Sequence, residues 1–223
     1  HKIGILSALA FNTGLPAPSF YVEGIENIQS QDFTYAEDFQ LTIKHLAVAK
    51  LNDEGIELRS HPVLLSKDSS LAGLKGVRNG IQFDTNLLGE FHVAGSGAGR
   101  ESTASGLISD LFALSRSKGS SPMRYPDFSK KANLLNFDDL VFKYYVYLEV
   151  KDEPGVLALI SKIFADQSIG FDKVIQKDQL DNSNVPVVIF TDPIVENEMQ
   201  IALQDLKNNP VILNSKIIRI EDL

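Results

Sequence analysis

The amino-acid sequence predicts an α+β fold, in which an antiparallel sheet covered by helices on one face is followed by a βαββαβ unit. Its 223 residues exceed the usual single-domain size of about 100 to 150 residues. Regular apolar patterns occur on both sides of a stretch rich in Gly, Ser, Pro and charge, "SKGSSPMRYPDFSKK". We therefore predict two domains, residues 1–116 and 143–223, joined by a linker over residues 117–142.

The first domain is predicted to begin and end with helices. Its strands are predicted from alternating apolar residues, as at Ile56 and Leu58, and from flanking Gly and Pro. In chain order the predicted elements are helices over 2–12 and 31–50, strands over 56–65, 80–84 and 90–94, and a helix over 102–116. Helices that precede a run of strands favour an antiparallel sheet with helices on one face.

The second domain is predicted to begin with a strand over 144–150. Pro154 then marks the first turn of a helix, because its missing N–H is not needed there. One face of this helix carries the apolar residues Val156, Leu157, Ile160, Ile163 and Phe164. Strands over 169–176, 185–191 and 217–220 follow, with a helix over 195–208 whose inward residues are Met199, Ala202, Leu203 and Leu206. This βαββαβ order is that of the ferredoxin-like fold.

Composition excludes several classes of function. A net charge of −8 and the lack of a basic run argue against a nucleic-acid partner. With no cysteine, disulfides, thiolate metal sites and cysteine nucleophiles are excluded, which fits a cytoplasmic protein. The first apolar run, residues 3–11, is too short to span a membrane. The histidines His1, His45, His61 and His92 lack ligand spacing, so we predict no metal site.

A glycine-rich run, "HVAGSGAGRESTASG" at residues 92–106, lies between a predicted strand and a predicted helix. Glycines there allow a ligand to approach the backbone, and the helix start offers free N–H groups. The spacing of Gly95, Gly97 and Gly99 matches neither the dinucleotide fingerprint nor the phosphate-binding P-loop, so spacing alone favours a tight structural turn over a ligand-facing loop. Lys2 has a similar ambiguity, as either a solvated lysine at a helix end or a group that exchanges a proton.

The turn "DEPGVLA", residues 152–158, is a second candidate ligand site. Exposed N–H groups at the start of the following helix can hold a carboxylate, and Asp152 or Glu153 can hold an amino group. Alternatively, the acidic residues cap the helix and complement its dipole. Spacing alone does not separate these two readings.

Resemblance to known families adds information that periodicity does not contain. The stretch "YYVYLEVKDEPGVLALISKIFADQSIGFDKVIQK" closely resembles an ACT domain, a module that binds the pathway end product in many amino-acid biosynthetic enzymes. Upstream, the chain is similar to homoserine dehydrogenases in successive blocks and at that family's spacing: "HKIGILSALAF", "YVEGIENI", "IKHLAVAK", "IELRSHPVLLSKDSSLAGLKGVRNGI" and "GSGAGRESTASGLISDL". Together these blocks cover nearly the whole chain.

This resemblance implies an oxidoreductase that interconverts homoserine and aspartate semialdehyde with NAD or NADP. The lysine of the "HK" pair, Lys2, carries over as the proton-transfer residue. Gly97, Ala98 and Gly99 carry over as the wall against the nicotinamide and the substrate, and Thr103 begins the helix behind them. The family's nucleotide-binding domain and its substrate carboxylates precede these blocks, so we expect a fragment that is inactive by itself.

The resemblance to ACT domains implies an amino-acid effector, most often threonine. The residues expected around it are Asp152, Gly155, Val156, Leu157 and Gln176. A homodimer or a dimer of dimers is implied as well. A stand-alone amino-acid sensor without catalysis is the alternative, although it would have no use for Lys2 or the glycine loop.

Overall fold

The computed structural model describes residues 1–16, 20–117, 126–176 and 184–223. Residues 118–125 of the predicted linker lie outside the described residues. The helices are α1 (Lys2–Phe11), α2 (Ser30–Asp38), α3 (Arg100–Arg116), α4 (Val156–Asp166) and α5 (Glu196–Lys207). The strands are β1 (Tyr21–Val22), β2 (Leu41–Leu51), β3 (Ile56–Ser66), β4 (Arg78–Thr85), β5 (Gly89–Ser96), β6 (Val141–Lys151), β7 (Phe171–Gln176), β8 (Asn184–Thr191), β9 (Ile194–Val195) and β10 (Ile212–Ile220). A 3-10 turn, Phe137–Asp139, precedes β6.

One mixed sheet runs through both predicted domains. Its strand order is β1-β3-β10-β6-β8-β7, with β2 paired antiparallel to β3 and β9 paired to β6. The strands of the second domain have the order β10-β6-β8-β7 and are mutually antiparallel. The last strand, β10, also pairs in parallel with β3, through Arg219 opposite Val63 and Ile220 opposite Leu64. The first domain, predicted to have its own antiparallel sheet, therefore shares one mixed sheet with the βαββαβ unit, because the end of the chain joins β3 in parallel.

The predicted helix over 31–50 is wrong in its second half. The helix α2 ends at Asp38, and Gln40 has a φ of 58°, which is incompatible with a continuing helix. Strand β2 then pairs with β3 over its whole length, from Leu41 opposite Ser66 to Leu51 opposite Ile56. This long-range pairing overrides the local apolar spacing that indicated a helix.

Several other boundaries differ from the predictions. Helix α4 begins at Val156 rather than at Pro154, because Gly155 has a φ of 93° and forms a turn before the helix. Helix α3 begins at Arg100, earlier than expected. Strand β10 begins at Ile212 rather than at residue 217, because it pairs with the full length of β6.

Two apolar cores cover the two faces of the sheet in the second domain. On one face α4 and α5 pack with fully buried residues such as Ile160, Phe164 and Met199. On the other face Ala36 of α2 and residues that follow it, such as Phe39, pack against Tyr145 and Phe190. The first domain therefore supplies the cover for a sheet face that belongs to the second. Of the residues predicted to face inward from α4, Leu157 is the exception, with 44% of its surface exposed.

A hairpin of β4 and β5, with the following helix α3, extends away from these cores. The two strands pair only with each other, every residue of β5 is exposed, and α3 has no buried residue. Large apolar side chains are consequently open to solvent, among them Leu87, Leu88, Val93, Leu111 and Phe112. None of the described helices is both long and apolar enough to cross a membrane.

Buried ionic groups join β3, β10 and α5 where the two predicted domains meet. Arg219 of β10 donates two hydrogen bonds to Glu196 of α5, and Tyr144 donates a third at 2.6 Å. Arg59 of β3 pairs with Glu221, at 2.5 Å between Nη2 and Oε2. Burial alone would raise the pKa of Glu196, but Arg219 and Tyr144 hold this pKa below its ordinary value. The junction thus depends on charges that have little access to water.

His61 lies in the same junction and makes it sensitive to acid. Its Nε2 faces Nη1 of Arg59 at 3.0 Å, so Nε2 accepts that hydrogen bond and Nδ1 donates to the carbonyl oxygen of Pro62 at 2.9 Å. The imidazole is therefore neutral in the folded protein. Burial, with the charges of Arg219 and Arg59, lowers the pKa of His61 from 6.5 to about 4.

We expect the free energy of unfolding to fall by about 2 kcal/mol between pH 7 and pH 5, because the unfolded chain binds a proton at this histidine and the folded chain does not. Glu196 and Glu221 have lowered pKa values in the folded protein, and the stability that they contribute is lost only below about pH 4.5. Their effect is therefore separate from that of His61. Urea denaturation of the wild type and of His61→Gln at both pH values is the measurement. His92→Gln, on exposed β5, is the matched control and should keep the dependence on pH. An equal dependence on pH in His61→Gln would contradict this assignment.

Candidate active site and effector cavity

Helix α1 places Lys2 at its first position, with the side chain exposed. The helix packs beside β2, and its small residues Gly4, Ser7 and Ala8 are buried. In the described part of the chain Lys2 makes no hydrogen bond or ion pair. Its ammonium group is therefore free to act on a ligand.

The loop of Gly97, Ala98 and Gly99 connects β5 to α3. The N–H of Gly97 donates to the carbonyl oxygen of Val77 at 2.8 Å, which extends the hairpin by one step. Gly99 has a φ of 129°, a conformation that favours glycine, and precedes the first helical residue, Arg100. Thr103 lies within the helix rather than at its start, and its hydroxyl donates to the carbonyl oxygen of Gly99 at 2.8 Å. The loop is thus a strand-to-helix turn with an exposed backbone.

Lys2 and the glycine loop belong to different parts of the fold. The lysine is on a helix that packs on the main sheet, whereas the loop belongs to the separate hairpin. No hydrogen bond or ion pair joins the two within the described ranges. Across the same ranges no group of three or more His, Asp or Glu side chains is placed to hold a metal ion.

Helix α4, which follows the turn after β6, begins with backbone N–H groups that lack hydrogen-bond acceptors within the helix. Gly155 is the N-cap of α4, no side chain caps the helix, and no acidic residue lies in its first turn. Asp152 and Glu153 precede the helix instead, and neither side chain caps it. The N–H groups of Leu157 and Ala158 have no acceptor within the helix, because the first turn of a helix leaves its donors free.

All five residues expected around an effector line one cavity of about 450 Å³ at this turn. They are Asp152, Gly155, Val156, Leu157 and Gln176. The remaining lining residues are Val150, Lys151, Glu153, Pro154, Ala158, Val185 and Val187. Apolar walls with carboxylates and free N–H groups at one end are suited to a small zwitterion with an aliphatic side chain.

Sequence reasoning missed Val185 and Val187, which form the wall opposite α4. β8 is apolar from Val185 to Phe190 and buried on both faces, so only the two-residue period of a strand could have placed Val185 and Val187 on one face. It also missed the buried charges at the domain junction, for which no local signal exists. A smaller cavity, about 240 Å³, lies at that junction between Lys50, Arg59, Lys143 and Glu221.

The first half of the chain matches a known protein family. The model of the homoserine dehydrogenase family matches residues 1–112. The homoserine dehydrogenase of Neisseria gonorrhoeae is 33% identical over 100% of this chain and 53% of its own length, and that of Helicobacter pylori is 34% identical over the same shares. This chain therefore spans about half the length of the curated relatives that it matches.

Solved structures point to the same family. A homoserine dehydrogenase from Thiobacillus denitrificans superposes with a TM-score of 0.88 at 30% identity, over 100% of this chain and 52% of that one. A homoserine dehydrogenase from S. aureus shares the fold with a TM-score of 0.64 at 19% identity, over 100% of this chain and 52% of that one. Since the family model matches half of the residues and the similarity continues to the last strand, the chain belongs to the homoserine dehydrogenase family.

Proposed function

We propose that this chain is the part of an NAD- or NADP-dependent homoserine dehydrogenase that carries the proton-transfer lysine and an amino-acid-sensing unit. The complete enzyme would interconvert homoserine and aspartate semialdehyde. The observation that carries this proposal is the match of residues 1–112 to the family, together with 33% and 34% identity to two relatives over the whole chain.

Lys2 is proposed to transfer the proton at the substrate oxygen. When the aldehyde is reduced its oxygen gains negative charge, and an ammonium group nearby can protonate it; in the opposite direction the amine takes the proton of the hydroxyl. The exposed position of Lys2 at the start of α1, with no protein partner among the described residues, supports this role. Turnover by the complete protein and its loss in Lys2→Ala are the test.

The loop of Gly97, Ala98 and Gly99 is proposed to lie against the nicotinamide ring of the cofactor. A bound nicotinamide cofactor supplies or accepts the hydride. The loop fits a flat ring, because its largest side chain is a methyl group and its backbone is exposed. These 223 residues alone are expected to be inactive, because the matching relatives are about twice as long and their other half would hold most of the nucleotide.

The second unit is proposed to be an ACT domain that binds an amino acid, with threonine as the first candidate. The cavity at the β6–α4 turn supports this, because one ligand can meet Asp152 with its amino group and the N–H groups of Leu157 and Ala158 with its carboxylate. Val185 and Val187 offer contacts for an aliphatic side chain. Binding there would report the level of a pathway end product.

Threonine at 100 times its Kd should raise the thermal midpoint of the complete protein by about 3 to 5 °C, because ligand binding to the folded state alone adds about 2.7 kcal/mol. Isoleucine, methionine and homoserine serve as comparison ligands. Asp152→Asn should lose the shift. Asp172→Asn, the same change on exposed β7 outside the cavity, should keep it. A threonine shift that persists in Asp152→Asn would place threonine elsewhere, and no shift with any ligand would contradict the effector role.

A second copy of the chain is proposed to cover the hairpin and α3. These elements expose Leu87, Leu88, Val93, Leu111 and Phe112 in one connected part of the fold, and such a surface is unusual for a monomer. A homodimer, or a dimer of dimers, would bury it.

A further inference from the structure

Gly97 and Gly99 are glycines for different reasons. Gly99 has a φ of 129°, which few other residues adopt, whereas Gly97 is not among the residues with positive φ. Around Gly97 the constraint is steric. A Cβ added there would lie 2.8 Å from Oδ1 of Asn79 and well inside contact distance of the carboxamide carbon and nitrogen of the same side chain. The Asn79 carboxamide therefore occupies the space that a side chain at position 97 would need.

Asn79 reaches Gly97 from the neighbouring strand of the hairpin. It lies on β4 directly opposite Gly95 of β5, and Val77, two residues earlier, accepts the hydrogen bond of the Gly97 N–H. The side chain is exposed, and within the described residues its carboxamide makes no hydrogen bond. Its contact with the Gly97 backbone is thus the interaction that the structure shows for it.

Few other contacts hold this loop in place. Every residue of β5 is exposed and α3 has no buried residue, so the core does not set the position of the loop. What remains is the hydrogen bond of Gly97 to Val77, the hydroxyl groups of Ser102 and Thr103 on the carbonyl oxygen of Gly99, and the Asn79 contact. The packing of the Asn79 side chain against the Gly97 backbone is therefore one of the few contacts that hold the loop in place.

From this geometry we infer that Asn79 is a positioning residue for the dehydrogenase reaction. Its side chain fixes how closely the Gly97–Gly99 backbone approaches the bound ligands. It acts through Gly97 and transfers no proton itself. The inference rests on the proposed function, in which that loop faces the nicotinamide and the substrate. Nothing in the spacing of the glycine run points to Asn79, because it precedes the loop by a whole hairpin.

The test is a double-mutant cycle in the complete enzyme, with kcat for homoserine oxidation as the readout. Asn79→Ala removes the support, and Gly97→Ala displaces the Asn79 side chain, so each should lower kcat about 10- to 100-fold, the scale expected for a misplacement of about 1 Å. The double variant should be no worse than the more impaired single variant, because both changes remove one contact. Asn79→Asp, which has the same shape, should retain most of kcat.

Controls separate this role from a general effect on folding. Gly73→Ala adds the same methyl group in the turn before the hairpin, where the nearest atom, the carbonyl oxygen of Ser70, lies 4.0 Å away, and should leave kcat unchanged. Because Asn79 is exposed, Asn79→Ala should leave the thermal midpoint nearly unchanged. Multiplicative losses in the double variant, or an Asn79→Ala enzyme with wild-type kcat, would overturn the inference. A wild-type enzyme without turnover would instead overturn the proposed function, and the inference with it.

Discussion

Replacing Lys2 by alanine in the complete protein should lower kcat for homoserine oxidation by about 10² to 10⁴, the usual contribution of a positioned general acid or base. The ammonium group has no protein partner in the described chain, so its loss leaves no buried charge behind and should hardly change stability. Affinity for the nucleotide should stay nearly intact, because the lysine acts at the substrate oxygen. Steady-state kinetics and nucleotide titration are the measurements.

A suitable control for this variant is Lys162→Ala. Lys162 is also an exposed helical lysine, but it lies on α4 in the second unit. Its replacement should leave kcat unchanged, which would show that loss of one positive charge is not the cause. Turnover near the wild-type rate in Lys2→Ala would remove this lysine from the mechanism.

The Arg219→Met variant should be less stable than the wild type by about 3 to 5 kcal/mol, because removal of one member of a buried ion pair leaves the other charge uncompensated. The side chains of Arg219 and Glu196 are only 3% and 1% exposed. Glu196 would keep the hydrogen bonds from Tyr144, at 2.6 Å, and Gln200, at 2.7 Å, but not a cation. Urea denaturation near pH 7 is the measurement.

An exposed ion pair of the same sheet is the control for this variant. Lys143 pairs with Asp222 at 3.2 Å, with 47% and 78% of the two side chains exposed, so Lys143→Met should cost less than about 1 kcal/mol. Replacing both Arg219 and Glu196 by methionine should cost less than the sum of the single changes, since the fully buried charge is then removed with its partner. Glu23, which also pairs with Arg219 at 3.0 Å, is 32% exposed and can be solvated. Equal losses in Arg219→Met and Lys143→Met would show that burial does not increase the cost of breaking the Arg219–Glu196 pair.

Local patterns predicted the parts of this fold that local interactions determine. The face of α4 with Val156, Ile160 and Phe164 and the inward residues of α5 are buried as expected, because both sets follow the 3.6-residue period of a helix. The five residues that the resemblance to ACT domains implied around an effector also line one cavity. Four of them lie in a single strand-to-helix turn, and Gln176 ends the strand that follows the helix.

The sequence by itself determined the family, the position of Lys2 at the start of a helix and the order of elements in the second unit. Only the tertiary structure decided that residues 41–51 form a strand, that β10 joins β3, that Arg219 is neutralised by Glu196 and that the Asn79 carboxamide lies beside Gly97. The physical reason is the distance along the chain. Helical periods and turns involve neighbours within a few residues, whereas strand pairing and buried ion pairs join residues that only the folded chain brings together.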